Sequence, residues 1–170
     1  MHLEGTVSIS APRDKVWQAL TDPYFVSQCA PGLVSMEVIE PNKKFQAVAG
    51  AGFGAIKVTF KTDVEWLDLD PPTWASMKVH GTAPGSAVDM ASEMLLSDGP
   101  DGVTDLKWAA EVIVLGTIAS VASRLLSPVA QLLVGTMFKC VKSKIEVTDT
   151  VEVDNPVEVA DTVEEDNTQT

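Results

Sequence analysis

The strongest constraint on the fold is a long stretch of helical periodicity near the end of the chain, after a series of strand-like segments. Between about Ser120 and Val147, apolar residues recur at steps of three and four, which is typical of one buried helical face. They are Val121, Leu125, Val129, Leu132, Leu133, Met137, Cys140 and Val141. A single long helix after many strands needs a sheet to cover. The pattern therefore predicts a helix on a curved sheet, with an apolar cavity between them.

The preceding segments predict one strand, two short helices and then a series of strands. Residues 2–9 alternate apolar and polar, and Ser10 and Pro12 are suited to open a helix that buries Val16, Trp17 and Leu20. Asp22-Pro23 ends this helix and starts a second, shorter one. The predicted strands are then Val34–Glu40, Lys44–Ala49, Ala55–Leu69, Thr73–Gly81, Ala87–Ser97 and Val103–Leu115. Short connections between them indicate an antiparallel meander.

Alternation within these strands identifies one apolar face and one charged face. The apolar face carries Ile56, Val58, Phe60, Val64, Trp66, Met77, Val79, Val88, Met90, Met94, Leu96, Leu106, Trp108, Ala110, Val112 and Val114. The charged face of such a sheet is exposed to solvent, and its apolar face packs against other elements of the protein. The predicted fold class is α+β: a helix-grip fold, in which a bent antiparallel sheet of six to seven strands wraps around a long C-terminal helix.

The charge of the chain is concentrated at its C-terminus. Residues 148–170 contain eight acidic residues and no Lys or Arg, whereas the rest has 16 acidic and 12 basic residues. Nucleic-acid binding needs a basic face and is therefore not expected. Length and composition divide the chain into one domain over residues 1–147, where we expect the ligand-binding cavity, and an acidic, disordered tail over residues 148–170. The tail is either simply solvated or a docking segment for a partner. The lysines Lys139, Lys142 and Lys144 either complement the helix dipole or meet the tail or an anionic membrane.

The two cysteines, Cys29 and Cys140, show neither metal-ligand nor CxxC spacing. This usage favours free thiols in a reducing compartment, which predicts a cytoplasmic protein. The N-terminus has no signal-peptide pattern. The stretch from Val112 to Phe138 is apolar, but Arg124 and Pro128 interrupt it. We interpret it as a strand followed by a surface-docked helix rather than as a membrane span.

Recognisable catalytic or metal-binding machinery does not occur in the sequence. His2 lies at a terminus that is expected to fray, and His80 falls on the polar side of its strand. No HExxH motif, nucleophile elbow, phosphate loop or dinucleotide fingerprint is present. We therefore expect a binding protein rather than an enzyme, with no catalytic residue and no metal site.

Several short motifs, in their order along the chain, resemble those of one known family. They are Val16-Trp17-x-x-Leu20-x-Asp22-Pro23, Cys29-Ala30-Pro31-Gly32, Gly81-Thr82-Ala83, Leu106-x-Trp108 and Ala122-x-Arg124-Leu125-Leu126. Together they resemble the START/Bet v 1-like (SRPBCC) superfamily and, within it, the carbon monoxide dehydrogenase CoxG family. The resemblance covers Met1 to about Val147 and excludes the tail.

The resemblance implies a function in quinone or lipid handling. It implies non-enzymatic carriage of a hydrophobic small molecule, such as menaquinone, another isoprenoid quinone or a lipid. It also implies service to a molybdenum hydroxylase of the carbon monoxide dehydrogenase type, with transient contact at the inner face of the membrane. Two alternatives stay open: an enzyme of the cyclase, aromatase or hydrolase type found in the superfamily, and a maturation chaperone acting through protein interaction.

The expected ligand site is the cavity under the long helix, because methionine and aromatic linings suit adaptable apolar binding. Its predicted lining is Phe60, Trp66, Met77, Met90, Met94, Trp108, Val121, Leu125, Val129, Leu132, Leu133 and Met137. Residues at the entrance, or serving as polar anchors, are Phe25, Cys29, Phe53 and Arg124. Each of the last three has a structural alternative. Cys29 is then a small core residue, Phe53 part of a glycine-rich turn, and Arg124 a helix-entry arginine bonded to carbonyls or to Glu111.

Overall fold

The structure, a computed structural model, describes residues 1–53, 56–121, 124 and 126–153. It contains seven strands, which are β1 (His2–Ile9), β2 (Leu33–Glu40), β3 (Lys44–Phe53), β4 (Ile56–Asp70), β5 (Trp74–Ala83), β6 (Ser86–Asp98) and β7 (Thr104–Gly116). The helices are α1 (Arg13–Thr21), α2 (Pro23–Ser27), α3 (Thr117–Val121) and α4 (Leu126–Val153), and Pro100–Gly102 forms a 3₁₀ turn.

All seven strands belong to one antiparallel sheet. Its order is β1-β7-β6-β5-β4-β3-β2, so consecutive strands from β2 to β7 pair as hairpins and β1 closes against β7. Helix α4 lies across the inner face with α1 beside it, which leaves the outer face to solvent. The expected helix-grip α+β fold is confirmed, and the alternation of each strand sets which residues face α4.

Two short helices lead from β1 to β2. Helix α1 begins at Arg13 with Pro12 at its N-cap, and no side chain caps it. The prediction that Ser10 caps this helix is wrong, because Pro12 occupies the N-cap position. The backbone N–H of Ser10 donates to Glu146 of α4 (2.8 Å). Asp22 does cap α2, since its carboxylate accepts from the backbone N–H of Tyr24 (2.9 Å).

The long helix differs from the prediction at both ends. The expected single helix from Ser120 is divided, because α3 ends at Val121, Arg124 lies in a turn and α4 begins at Leu126. At its other end α4 continues to Val153, beyond the predicted end at Val147. The proposed division at residue 147 stays a prediction, and residues 154–170 lie outside the described part of the chain.

The glycine-rich segment from Gly50 to Phe53 belongs to strand β3, although its composition is typical of a turn. Strand β3 continues through Phe53, and its ladder with β4 runs from Lys44 opposite Glu65 to Phe53 opposite Ile56. The predicted end of this strand at Ala49 is therefore wrong. The long neighbour β4 provides backbone partners for these glycines, which outweigh their weak strand preference. Gly50 also donates its N–H to the carbonyl of Gly32 (2.8 Å).

The prediction of two free thiols is wrong, because Cys29 and Cys140 form a disulfide bond. Their Cα atoms are 5.5 Å apart, within the usual range for a disulfide, although 111 residues separate them in the sequence. Cys29 follows α2, and Cys140 faces it from α4. The bond thus ties α2 to the long helix, and the composition argument for a reducing compartment no longer holds.

A continuous core holds α1 and α4 on the sheet. Its fully buried members include Ile9, Val16, Leu96, Leu106 and Val141, which come from β1, α1, β6, β7 and α4. The only fully buried polar side chain among the described residues, Thr104, donates its hydroxyl to the carbonyl of Ala11 (2.7 Å). None of the helices in the described part of the chain is long and apolar enough to cross a membrane.

Candidate functional site

A cavity of about 230 Å³ lies between the inner face of the sheet and helices α2 and α4. It borders the core directly, because Leu20, Ala75 and Leu106 line the cavity and also belong to the buried core. Its lining is Leu20, Pro23, Val26, Phe45, Val64, Trp66, Ala75, Met77, Val79, Met90, Ser92, Glu93, Met94, Leu106, Trp108, Ala109, Ala110, Val134, Met137 and Phe138. Apolar side chains dominate this wall.

Strand alternation and helical spacing together build the wall. Strand β6 contributes Met90, Ser92 and Met94, and the facing positions of β7 are Val112, Ala110 and Trp108. Helix α4 contributes Val134, Met137 and Phe138 at helical steps of three and four. Four methionines with unbranched, flexible side chains therefore meet four rigid aromatic side chains, those of Phe45, Trp66, Trp108 and Phe138. Such a lining adapts its shape to apolar molecules.

Trp108 is held in place by a small residue on one side and an aromatic ring on the other. Its neighbour across the ladder is Gly5 of β1. A Cβ atom at Gly5 would lie 2.9 Å from the indole Nε1 of Trp108, so only glycine permits this close approach. On the helix side, the ring centroids of Trp108 and Phe138 are 5.3 Å apart. The position of this indole against the cavity is therefore fixed by β1 and α4.

Several of the predicted lining residues do lie on the cavity wall. They are Trp66, Met77, Met90, Met94, Trp108 and Met137. Phe60 and Val129 are half-buried but are not part of the wall. Val121 lies in α3, but its side chain is outside the described residues, as is the whole of Leu125. That the residues on the wall bind a ligand stays a prediction.

Leu132 and Leu133 do not line the cavity, contrary to the prediction. Their side chains are 69% and 37% exposed. The docked face of α4 is centred on Val134 and Val141. At about 3.6 residues per turn, Leu132 points nearly opposite this face and Leu133 lies roughly a quarter of a turn away from it. The apolar stripe in the sequence is thus wider than the face that packs on the sheet.

The predicted entrance residues do not meet at one opening. Phe25 is half-buried against the core, and Cys29 is buried in the disulfide. Arg124 is exposed in the turn before α4, and Glu111, its suggested partner, contacts His2 instead. Phe53 ends β3, and its side chain lies outside the described residues. Tyr24, which lies in α2 between the lining residues Pro23 and Val26, is exposed, with 61% of its surface accessible.

An open groove adjoins the cavity between β1 and α4. It shares Trp108, Val134 and Phe138 with the cavity wall. Its other lining residues are His2, Leu3, Glu4, Gly5, Thr6, Val7, Gln131, Gly135, Lys139 and Lys142. A Cβ atom at Gly135 would meet nothing within 4 Å, so this side of the helix is open space. The groove and the cavity therefore share part of their walls.

Sequence reasoning missed part of the wall, above all Ser92. Alternation predicted the inward direction of Val64, Val79, Leu106 and Ala110 without assigning them to a site. The same alternation places Ser92 between Met90 and Met94, both of which were predicted to line the cavity. Val134 and Phe138 of α4 were missed because the wider stripe through Leu132 and Leu133 obscured the docked face.

Charged groups with shifted pKa values lie on the outer face, away from the cavity. Hydrogen bonds from Gln46 and Lys44 lower the pKa of Asp63, and the hydrogen bond from Lys78 lowers the pKa of Glu65. His80 contacts Asp89 on the same face (Nδ1–Oδ1 2.6 Å). In the described part of the chain, no group of three His, Cys, Asp or Glu side chains is placed to hold a metal ion.

His2 is part of the sheet rather than frayed. It pairs with Glu111 of β7, and the ammonium group of Met1 donates to the carbonyl of Val112 (2.6 Å). A hydrogen bond to Glu111 raises the pKa of His2 above its ordinary value of 6.5, and a hydrogen bond to Glu4 raises it by a smaller amount. The contact between the His2 ring and the Glu111 carboxylate therefore links β1 to β7.

The raised pKa of His2 predicts a pH-dependent contact between β1 and β7. Its stabilising contribution is fully present below the unfolded pKa, and it is lost as the pH rises from about 6.5 through the folded value. NMR titration of the His2 ring should give a pKa above 6.5, and Glu111→Gln should lower it. A His2 pKa at or below 6.5 in the unmodified protein would contradict the contact.

Comparison with known proteins decides the family. The sequence matches, over residues 5–146, the model of the CoxG family, which is described as a subunit of carbon monoxide dehydrogenase. The chain belongs to the CoxG family. The match runs from within β1 through the other six strands and most of α4, so the suspected family membership is confirmed. Comparison with curated protein sequences gives no significant match.

Solved structures share the fold of this CoxG protein. A conserved protein from Geobacillus kaustophilus is 27% identical with a TM-score of 0.80, covering 87% of this chain and 97% of that one. The Zhui aromatase/cyclase from Streptomyces sp. R1128 is 20% identical with a TM-score of 0.66, covering 86% and 93%. A point mutant of norcoclaurine synthase from Thalictrum flavum, in complex with a transition-state analogue, is 11% identical with a TM-score of 0.59, covering 87% and 95%.

Proposed function

We propose that this CoxG protein binds and carries a hydrophobic small molecule of the isoprenoid quinone or lipid class in the cavity under α4. The observation that carries the proposal is the cavity itself, with its methionine and aromatic wall and its volume of about 230 Å³. Moving an apolar molecule from water into such a space is favourable by roughly 25 cal/mol for each Å² removed from water. A carrier requires only this favourable free energy of burial and does not require a catalytic side chain.

The size of the cavity supports a ligand with a compact ring system. A cavity of about 150 Å³ is sufficient for benzene, so about 230 Å³ has room for a two-ring head group. The flat faces of Trp66 and Trp108 suit such a ring. A long isoprenoid chain does not fit in the same space, and the groove between β1 and α4 would accept it. Menaquinone combines these two parts.

The family description supports a partner oxidoreductase. We propose that the protein serves a molybdenum hydroxylase of the carbon monoxide dehydrogenase type, exchanging quinone between that enzyme and the membrane. Such a role would be carried out at the cytoplasmic face of the membrane, in transient contact with it. The exposed Tyr24, next to the lining residue Pro23, supports contact with a lipid surface, because tyrosine is favoured at membrane interfaces.

The same geometry supports carriage over catalysis. The aromatase/cyclase and norcoclaurine synthase show that this fold also hosts enzymes. In the described wall of this cavity, however, the only acid is Glu93, which belongs to the outward row of β6 and is exposed. General acid–base chemistry needs a titratable side chain within reach of the ligand. The maturation-chaperone alternative depends on the acidic tail over residues 148–170, of which residues 154–170 lie outside the described part of the chain.

A flotation experiment tests the proposed carriage. Vesicles containing menaquinone are incubated with the protein and then separated by density. Carriage predicts that quinone appears in the protein fraction in a ratio approaching one to one, because the apolar cavity competes with the bilayer for the ring. A buffer sample without protein provides the control. Quinone that stays entirely with the vesicles, at any protein concentration, would contradict the proposed function.

A further inference from the structure

We propose that the hydroxyl of Ser92 is the polar anchor of the cavity. It would select a ligand whose flat apolar ring carries a hydrogen-bonding oxygen and would direct that oxygen toward β6. This inference rests on the proposed function and deepens it, because it names the chemistry of the recognised head group and its orientation. Two observations support it: Ser92 lies in the middle of the apolar wall, and its hydroxyl has no hydrogen-bond partner among the described residues.

Ser92 lies in the middle of the apolar wall. Along β6 it occupies the inward position between Met90 and Met94. Its partners across the two ladders are Met77 on β5 and Ala110 on β7, and both line the cavity. Side chains of directly paired residues lie about 5 Å apart on the same face of a sheet. The hydroxyl is therefore surrounded by thioether and methyl groups.

Other hydroxyls on the inner side of the sheet have protein partners. Thr104 donates to the carbonyl of Ala11 (2.7 Å), and Thr62 donates to the carbonyl of Ala47 (2.9 Å). The Ser86 hydroxyl accepts from the N–H of Ile118 (3.1 Å). For Ser92, by contrast, the described residues provide no hydrogen-bond partner. Its remaining partner is whatever occupies the cavity.

A hydroxyl in these surroundings favours a particular ligand chemistry. Removing a polar group from water without a hydrogen-bond partner is unfavourable, so Ser92 opposes a purely hydrocarbon ligand and favours one with a matching oxygen. A serine hydroxyl both donates and accepts, so it suits a carbonyl as well as a hydroxyl. It can therefore bind a quinone in its oxidised form and the corresponding hydroquinone after reduction.

The test compares two ligands that differ in their oxygens. Menadione and methylnaphthalene share the methylated two-ring skeleton, but only menadione has carbonyls. Dissociation constants for both are measured by tryptophan fluorescence for the unmodified protein and for Ser92→Ala. Loss of one hydrogen bond should weaken menadione binding about three- to tenfold and leave methylnaphthalene unchanged or slightly tighter. Ser97→Ala, on the outward face of the same strand, is the matched control and should change neither constant.

A second variant separates the hydroxyl from the shape of the side chain. Ser92→Thr retains the hydroxyl while adding a methyl group, so it should preserve the ratio of the two dissociation constants. Equal effects of Ser92→Ala on both ligands, or no effect on menadione, would overturn the anchor while leaving hydrophobic binding intact. If neither ligand binds the unmodified protein, the proposed function fails and the anchor fails with it.

Discussion

Reduction of the Cys29–Cys140 disulfide is expected to lower the free energy of unfolding by about 3–5 kcal/mol. The bond joins two residues that are 111 positions apart in the sequence, so it restricts the unfolded chain over most of the domain. In the folded state it holds the end of α2 against α4, where Gln28 also accepts a hydrogen bond from Lys144 (2.9 Å). Urea unfolding with and without reductant measures the difference.

Two comparisons identify the disulfide as the cause of this change. A Cys29→Ala/Cys140→Ala double variant should match the reduced protein within about 1–2 kcal/mol and should no longer respond to reductant, with the residual difference arising from lost packing at Cys29. Thiol titration of the native, oxidised protein should find no reactive cysteine. Two titratable thiols in the freshly purified protein, with no effect of reductant on unfolding, would contradict the bond.

Filling the cavity is expected to abolish ligand binding while the protein still folds. Ala110 projects from β7 into the space beside Ser92 and Trp108. A benzene-sized ring needs about 150 Å³, so Ala110→Phe would occupy most of the cavity of about 230 Å³. A ligand ring that loses about 150 Å² of burial loses about 3–4 kcal/mol, which is a reduction in affinity of several hundredfold. Menadione binding to the variant measures this loss.

The control for this variant adds the same ring to the other side of the sheet. Ala91 lies on the outward face of β6, opposite Lys78 and Glu111, and is exposed. Ala91→Phe should therefore bind menadione as the unmodified protein does. Thermal unfolding of both variants checks that they are folded. Menadione affinity that is unchanged in a folded Ala110→Phe protein would place the ligand outside the cavity.

Local patterns in the sequence were sufficient to predict the fold and one wall of the cavity. Period-two alternation depends only on strand geometry, and it correctly directed Trp66, Met90 and Trp108 toward α4. The same rule also directs Ser92 inward, but a polar residue within an apolar row does not stand out by hydrophobicity. In a cavity, a polar residue that interrupts an apolar row carries more information about the ligand than its apolar neighbours do.

Long-range features could not be predicted in the same way. The pairing of Cys29 with Cys140 depends on how α4 lies against α2, and no local spacing encodes it. The exposure of Leu132 likewise depends on the rotation of α4 about its axis, which the packing of Val134 and Val141 determines. In both cases tertiary contacts selected among arrangements that the local pattern allowed.

The most direct test of a ligand-binding cavity uses the methionine methyl groups as reporters. Met77, Met90, Met94 and Met137 line the cavity, whereas Met1 lies at the terminus of the chain and Met36 belongs to the edge strand β2. In a protein labelled with ¹³C at the methionine methyl groups, saturating menadione should shift the four cavity signals and leave those of Met1 and Met36 in place. Shifts confined to Met1 or Met36, or no shift at saturation, would contradict binding under α4.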